Sequence, residues 1–351
     1  MNNNKSNPFT LAFGKHPSEF ISRPMQLNQV LDIFTNEPPT HQVIMITGVR
    51  GSGKTVMLND ISKQLREEPE WITIELNPNT DMVHELAAKL YDIKSMHDIF
   101  LKAKFNFTLL GIGIEINNQP PTANSIDTAL SQMLQKLKEH NKKLLITIDE
   151  VTNNEQMRIL ASSFQIFMRE DYPIFLVMTG LYDNLYDLQN HDTLTFLYRA
   201  PKIVLEPLNY GAISDKYKNL FSITREQANQ LTKLTMGYSF AFQVLGYLCW
   251  KYGIDQLEKK VMDEYDQYLA DYVYSKIWNE LSELDKNIVL IMAQDVTKVS
   301  DIRSELNMTS GTFSTYRDRL LKKGIAISKK YGTLSLSLPR FKEYALRYYD
   351  M

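Results

Sequence analysis

Cysteine is almost absent from this chain, with a single residue, Cys249, among 351. A lone thiol excludes an intramolecular disulfide framework and suits a reducing compartment. Its apolar setting, FQVLGYLCW, marks a buried structural side chain rather than a nucleophile. Glycine (14) and proline (13) are sparse and gather into no linker-like tract. There is no internal repeat, and low complexity is confined to the short Asn-rich start. The opening MNNNKSNPFTLAFGKHP has neither the basic beginning nor the apolar core of a signal peptide. No run approaches the roughly 18 uninterrupted apolar residues of a membrane span. These absences lead to the expectation of a soluble, cytoplasmic protein with no membrane partner.

What is present is an ordinary globular composition, 44% hydrophobic and 23% charged, enough to build a core and inconsistent with wholesale disorder. The length predicts two or three domains. The net charge is −2, but it is unevenly spread. From Ser282 onward 12 Lys/Arg face 8 Asp/Glu, a balance of +4, and the rest of the chain carries −6.

The stretch VIMITGVRGSGKTVMLNDISKQL carries the strongest signal. A β-branched run ends in Thr-Gly, a glycine loop follows, and helical spacing resumes. Gly48-x4-Gly53-Lys54-Thr55 is a P-loop in the strand–loop–helix context that confirms one. Backbone N–H groups of Gly48, Val49, Arg50, Gly51, Ser52, Gly53, Lys54, Thr55 and Val56 are expected to surround phosphates at a helix N-terminus. Lys54 would bridge the β- and γ-phosphates, and Thr55 would hold Mg²⁺. A second acid is needed, and KKLLITIDEV supplies it. Asp149 at the strand end is expected to bind Mg²⁺ through water, and Glu150 to polarise the attacking water. The paired acids favour hydrolysis over transfer to a small acceptor. The Arg-rich lid of a nucleotide kinase is missing. Further on, the strand PIFLVMTG ends in Thr179, and Arg199 precedes another apolar run, KIVLEPLN.

This order resembles the AAA+ ATPases and the related STAND ATPases. The resemblance implies that Thr179 is the polar sensor at the γ-phosphate and that Arg199 contacts that phosphate in cis or from a neighbouring subunit. Upstream, HPSEFISRPMQLNQVLDIF is similar to the segment by which initiator-type members enter the fold, with Ser22-Arg23 in place of Gly-Arg. The base is accordingly expected near Phe20 and Ile21. After residue 207 a helical stretch, opened by a capping box at Thr224 and Gln227, resembles the AAA+ lid, with Leu231, Leu234, Val244, Leu245 and Leu248 as its buried stripe. MGYSFAFQVLG is similar to the start of the lid's third helix, with Ser239 where the family often has Pro. No cation stands at Tyr238, Ser239, Phe240 or Gln243, so the lid lacks the family's second arginine sensor and a slow, switch-like ATPase is expected. Between the strand–helix units, KFNFTLLGIGIEINN (104–118) alternates and predicts a β-hairpin.

From Ser282 the pattern predicts three helices, a two-stranded hairpin and a closing helix. The first has Leu284, Ile288, Ile291 and Met292 inward, the second opens at Ser300, and the third is capped by Thr309 and stopped at Gly324. That is a winged helix-turn-helix, whose third helix docks in a DNA major groove. Ser310, Thr312, Ser314, Thr315, Arg317 and Arg319 are its candidate contacts, with Arg303, Lys322, Lys323, Lys329 and Lys330 at phosphates.

The fold expectation is therefore α/β, a P-loop NTPase (AAA+-like) parallel sheet core (1–207) with an α-helical lid (208–280) and a C-terminal winged helix-turn-helix (281–351), similar to the origin-recognition and initiator-like ATPases. The leading functional expectation is an ATP-binding and hydrolysing switch, dependent on ATP and Mg²⁺, that grips double-stranded DNA. The alternative is a STAND-type signalling or scaffold ATPase whose winged helix docks a protein partner. A homo-oligomer fits either, because Arg199 could act across an interface. A P-loop kinase is the least favoured.

Overall fold

The computed structural model describes residues 6–12, 17–102, 123–254 and 259–349. The stretch expected as a hairpin, 104–118, lies outside them. Contacts divide the chain into two units. One comprises Pro24–Thr47 and Lys54–Val204, the other Met1–Arg23, Gly48–Gly53 and Leu205–Met351. The glycine loop is thus counted with the helical unit. No helix among the described residues is long and apolar enough to cross a membrane.

The first unit is a three-layered α/β domain. Its elements are α1 (Pro24–Thr35), β1 (Val43–Thr47), α2 (Lys54–Arg66), β2 (Trp71–Leu76), α3 (Met82–Tyr91), α4 (Lys94–Lys102), α5 (Ala123–Glu139), β3 (Lys143–Ile148), α6 (Glu155–Arg169), β4 (Ile174–Gly180), α7 (Tyr182–Gln189) and β5 (Lys202–Val204). The sheet order is β2-β3-β4-β1-β5, with every pair parallel. Parallel strands are covered on both faces, so β1 and β4 are buried throughout. Side chains alternate between two layers. Val43 and Met45 join a core with α3, α5 and α6, whereas Phe175 meets Phe34 and Trp71, centroids 5.1 and 4.8 Å away. Asp81 caps α3 and Asn154 caps α6, each accepting a backbone N–H of the first turn.

The second unit is helical: α8 (Tyr210–Phe221), α9 (Arg225–Thr235), α10 (Ser239–Tyr252), α11 (Lys259–Leu269), α12 (Ser275–Asn279), α13 (Glu283–Ala293), α14 (Val299–Glu305), α15 (Ser310–Lys322), the strands β6 (Ala326–Ile327) and β7 (Ser335–Leu336), and α16 (Phe341–Tyr349). The Thr224–Gln227 capping box opens α9 as expected. One apolar core runs from Phe9 through α8–α12 into α13–α16. The lid helices and the winged helix share it rather than each closing its own. A π-helical segment, Ala270–Tyr274, joins α11 to α12. Arg340, just before α16, ties to α11 by donating to both oxygens of Asp266 at 2.7 Å. Gly246 is required where Phe9 lies against α10, because a Cβ there would overlap its ring. Cys249 is buried, and burial pushes its thiol up to about 12.

The winged helix departs from expectation at two points. Leu284 is 39% exposed, and Asp285 is fully buried in its stead. The cause is a capping box: the Asp285 carboxylate accepts from Ser282 and then receives Arg319 at 2.5 Å. The second helix opens from Lys298, without a side-chain cap, and Ser300 lies inside its first turn. Thr309 does cap α15, and Gly324 follows that helix at φ +71°.

Breaking a buried ion pair strands a charge. Since Arg319 is a third exposed, the loss is smaller than for a fully buried pair. Arg319→Ala is expected to destabilise the protein by about 2 kcal/mol, read as a lower urea midpoint. Arg319→Lys should recover little, because it cannot reproduce the forked contact to Ser282 and Asp285. An unchanged midpoint in Arg319→Ala would refute a structural role.

Candidate nucleotide site and nucleic-acid interface

In the sheet unit, strand register creates an acidic corner. Ile148 of β3 is paired with Met178 of β4, which brings the next residues, Asp149 and Thr179, side by side. The Thr179 hydroxyl donates to Asp149 Oδ1. The Thr55 hydroxyl, one residue into α2, donates to Asp149 Oδ2 at 2.6 Å. The Glu150 N–H reaches both Asp149 Oδ1 (3.1 Å) and Thr179 Oγ1 (3.2 Å). The carboxylate of Asp149 is therefore held by Thr55, Thr179 and the following peptide. Glu150 is exposed and has φ +54°. That left-handed backbone is uncommon for a non-glycine residue and turns the chain sharply at the strand end. Lys54 is 9% exposed at the start of α2, and Val56 is half-buried. Thr179, expected as a γ-phosphate sensor, is fully buried and engaged with Asp149.

Arg199 ends a 3-10 turn, Thr195–Arg199. It is exposed beside Tyr198, which is 73% exposed. With Gln165, Gln189 and Asp192 it lines an open cavity of about 590 Å³.

In the helical unit, the glycine loop is gripped from its carbonyl side. The Tyr238 hydroxyl donates to the Arg50 carbonyl. The Phe240 N–H donates to the Gly51 carbonyl at 3.1 Å. The Ser239 hydroxyl donates to the Ser52 carbonyl at 2.8 Å. Arg23 also donates to Ser52 O (3.2 Å) and to Glu206 O (2.7 Å). Burial lowers the Arg23 guanidinium to about 10, with the Glu206 carboxylate opposing the shift. Gly51 (φ +78°) and Gly53 (φ +94°) occupy the left-handed side of backbone space. Within one peptide unit the C=O and the next N–H point oppositely, so holding these carbonyls turns the N–H groups of Gly51 and Gly53 to the other side of the loop. That is the geometry of an anion-binding nest. Phe20 and Ile21 are half-buried, and Ile21 packs on the helical core.

Tyr238 and Ser239 matter here for a reason that the sequence did not reveal. The sequence marks them only by the lack of a cation, whereas their role in the structure is to donate hydrogen bonds to backbone carbonyls. A hydroxyl bonded to a distant carbonyl leaves no spacing signature. Arg50 itself pairs with Glu280 at 2.7 Å, another partner without a sequence signal.

On α15, Ser310, Thr312, Ser314 and Thr315 are exposed, as are Lys322, Lys329 and Lys330. Arg303 and Arg317 are half-buried, and Arg317 reaches Ser328 at 3.4 Å. Arg319, expected at DNA, is instead turned onto Asp285 and Ser282. Lys322 pairs with Asp318 at 2.6 Å, and Lys323 lies 3.5 Å from the Glu280 carbonyl. Tyr331, not among the expected contacts, stands fully exposed at the hairpin tip.

Residues 20–178 match the family model described as an ATPase domain predominantly from Archaea. Residues 271–345 match a domain of unknown function (DUF8462). No curated protein matches the sequence. Among solved structures the chain is similar to the ORC2 protein of Aeropyrum pernix (ADPNP-ADP complexes), at 14% identity over 97% of each chain with a TM-score of 0.53. It also matches Cdc6p from Pyrobaculum aerophilum at 15% identity over 95% of each chain, TM-score 0.48. A third match is the Aeropyrum pernix ORC1 protein in complex with DNA, at 14% identity over 95% of this chain and 94% of that one, TM-score 0.46. Residues 20–178 thus carry an ATPase-domain match, and the fold of the chain is like that of the ORC2 structure, an AAA+-like parallel-sheet core followed by helices and a C-terminal winged helix.

Gly51→Ala combines a strained φ with overlap of the Tyr238 hydroxyl and is expected to cost about 2 kcal/mol. In a double-mutant cycle with Tyr238→Phe, which removes the overlapping atom, the combined loss should be smaller than the sum. Additive losses in thermal unfolding would mean that the two groups do not touch.

Proposed function

We propose that this chain is an ATP-binding and ATP-hydrolysing switch that engages double-stranded DNA through its winged helix. The observation that carries the reading is the corner at Asp149. The Thr55 hydroxyl and the Asp149 carboxylate stand 2.6 Å apart, a pair of oxygens suited to a hard cation carried on a triphosphate. Among the described residues no group of three His, Cys, Asp or Glu could hold a metal unaided, so Mg²⁺ is proposed to arrive with the nucleotide. Ser52 Oγ is buried without a hydrogen-bond partner, which suits a phosphate oxygen. The similar ORC2 protein was solved with ADPNP and ADP, and an adenine nucleotide is proposed here as well.

In this reading Lys54 draws negative charge from the β- and γ-phosphates, and Thr55 and Asp149 hold Mg²⁺, which when bound neutralises the developing charge. Thr179 keeps Asp149 oriented. Glu150, exposed at the turn, accepts a hydrogen bond from the attacking water and directs it at the γ-phosphorus. Arg199 is exposed beside exposed Tyr198, which supports an arginine that serves a neighbouring subunit's nucleotide.

Support for DNA comes from the +4 balance beyond Ser282, the exposed hydroxyls on α15, and Lys329, Lys330 and Tyr331 at the hairpin tip. One observation favours the second reading, a STAND-type scaffold docking a protein. Arg319 is committed to Asp285, and Lys322 is paired with Asp318, so the third helix presents less positive charge than its sequence suggests.

Lys54→Ala is expected to abolish nucleotide binding, and Glu150→Gln to retain binding while losing turnover by about 100-fold or more. Unchanged ATPase activity in Glu150→Gln would sink the assignment. DNA retention should weaken steeply between about 50 and 200 mM salt, as phosphate neutralisation requires. Salt-indifferent binding would move the reading to protein docking.

A further inference from the structure

Two arginines hold the glycine loop, and they stand in different electrostatic company. Arg50, within the loop, is paired with the Glu280 carboxylate at 2.7 Å. Arg23 lies outside it. Among the described residues both of its hydrogen bonds go to backbone carbonyls, Glu206 O at 2.7 Å and Ser52 O at 3.2 Å. The Glu206 side chain is exposed and acts on Arg23 through space. Leu205, next to that carbonyl, lies 3.2 Å from where a Cβ on Gly48 would stand. Arg23 therefore bridges the start of the loop, by way of residues 205 and 206, to its end.

Such a cation is costly to desolvate. Burial holds the guanidinium down to about 10 against the opposing effect of Glu206, and a charge withdrawn from water persists where something compensates it. Two carbonyls compensate in part. An anion compensates further, and the nest beyond Ser52 is shaped for one.

The route between them is a single peptide. The Ser52 carbonyl receives two donors, Arg23 and the Ser239 hydroxyl at 2.8 Å, which fill both of its lone pairs. The other end of that peptide is the N–H of Gly53, a residue at φ +94°. A charged donor draws electron density toward the carbonyl oxygen and leaves the N–H more positive, because hydrogen bonds in a chain polarise one another. A neutral hydroxyl does the same more weakly.

We propose that Arg23 strengthens phosphate binding through the Ser52–Gly53 peptide, supplying from behind the loop positive charge that the start of α10 does not carry. The inference rests on the nucleotide reading above and names what sets the affinity of that site. Arg23 acts through a peptide and is a positioning residue, not a catalytic one.

The test uses the full chain and three variants. Arg23→Gln keeps a donor and loses the charge, Arg23→Lys keeps the charge, and Ser239→Ala removes the neutral donor from the same oxygen. Calorimetry with Mg-ADP gives the Kd. The Gly53 amide resonance of isotope-labelled protein without nucleotide reports the peptide. Arg23→Gln is expected to weaken Mg-ADP about fivefold, the difference between a charged and a neutral donor, and to move the Gly53 amide proton upfield. Arg23→Lys should stay within about twofold of the wild type and restore the resonance. Ser239→Ala should lose less than Arg23→Gln. An unchanged Kd in Arg23→Gln overturns the proposal. So does an equal loss in Arg23→Lys, because a mechanical tether rather than charge would then be at work. If Arg23→Gln melts below the titration temperature, the lysine variant decides alone, and a loss of about fivefold there overturns the proposal. No Mg-ADP heat in the wild type overturns the nucleotide reading instead, and the Gly53 resonance still decides whether Arg23 polarises the loop.

Discussion

A loop that presents peptide N–H groups to an anion must turn its carbonyls the other way, and every carbonyl withdrawn from water needs a donor. Here the donors come from three consecutive residues at the start of α10: Tyr238, Ser239 and Phe240 satisfy Arg50, Ser52 and Gly51. Much of the helical unit follows from that constraint. The start of α10 is set by the loop, Gly51 has no room for a side chain, and Phe9 and the α8–α9 pair assemble on the rest of α10. The missing cation at this helix start leaves the lid with a different handle on the loop, through backbone oxygens.

In the sheet unit a different device achieves a comparable result. Parallel pairing of β3 with β4 places Asp149 beside Thr179 with no help from the loop. The left-handed turn at Glu150 then takes the chain off the strand while the Glu150 N–H remains bonded to both neighbours. Strain accepted at a strand end, held by hydrogen bonds on either side, often marks a place where function outweighs local comfort.

The winged helix illustrates the limits of reading a helix by periodicity. Leu284 fits an inward stripe, yet the inner position goes to Asp285. The Ser282–Asp285 capping box directs that carboxylate into the helix junction, where Arg319 closes the charge. An arginine three turns into a third helix reads as a DNA contact from sequence, and the same arginine is what a buried carboxylate recruits. Burial of one acid thus changed the roles of two residues. Ser300 is a milder case: a serine near a helix start resembles a cap, but backbone pairing of the hairpin with Lys298 sets the start two residues earlier.

The sequence by itself determined the elements whose signals are local: the strand–loop–helix of the glycine motif, the acid pair at the end of β3, the capping box at Thr224, the Thr309 cap with its Gly324 stop, and the burial of Cys249. Each depends on residues within a turn or a strand of one another, so composition and spacing suffice. Only the tertiary structure decided that Asp149 is held jointly by Thr55 and Thr179, that the loop's carbonyls belong to α10, that Arg50 pairs with Glu280, and that Arg319 faces inward. These pairings join residues from 30 to 230 positions apart. They arise from strand register and from the need to satisfy buried polar groups, and neither leaves a pattern along the chain.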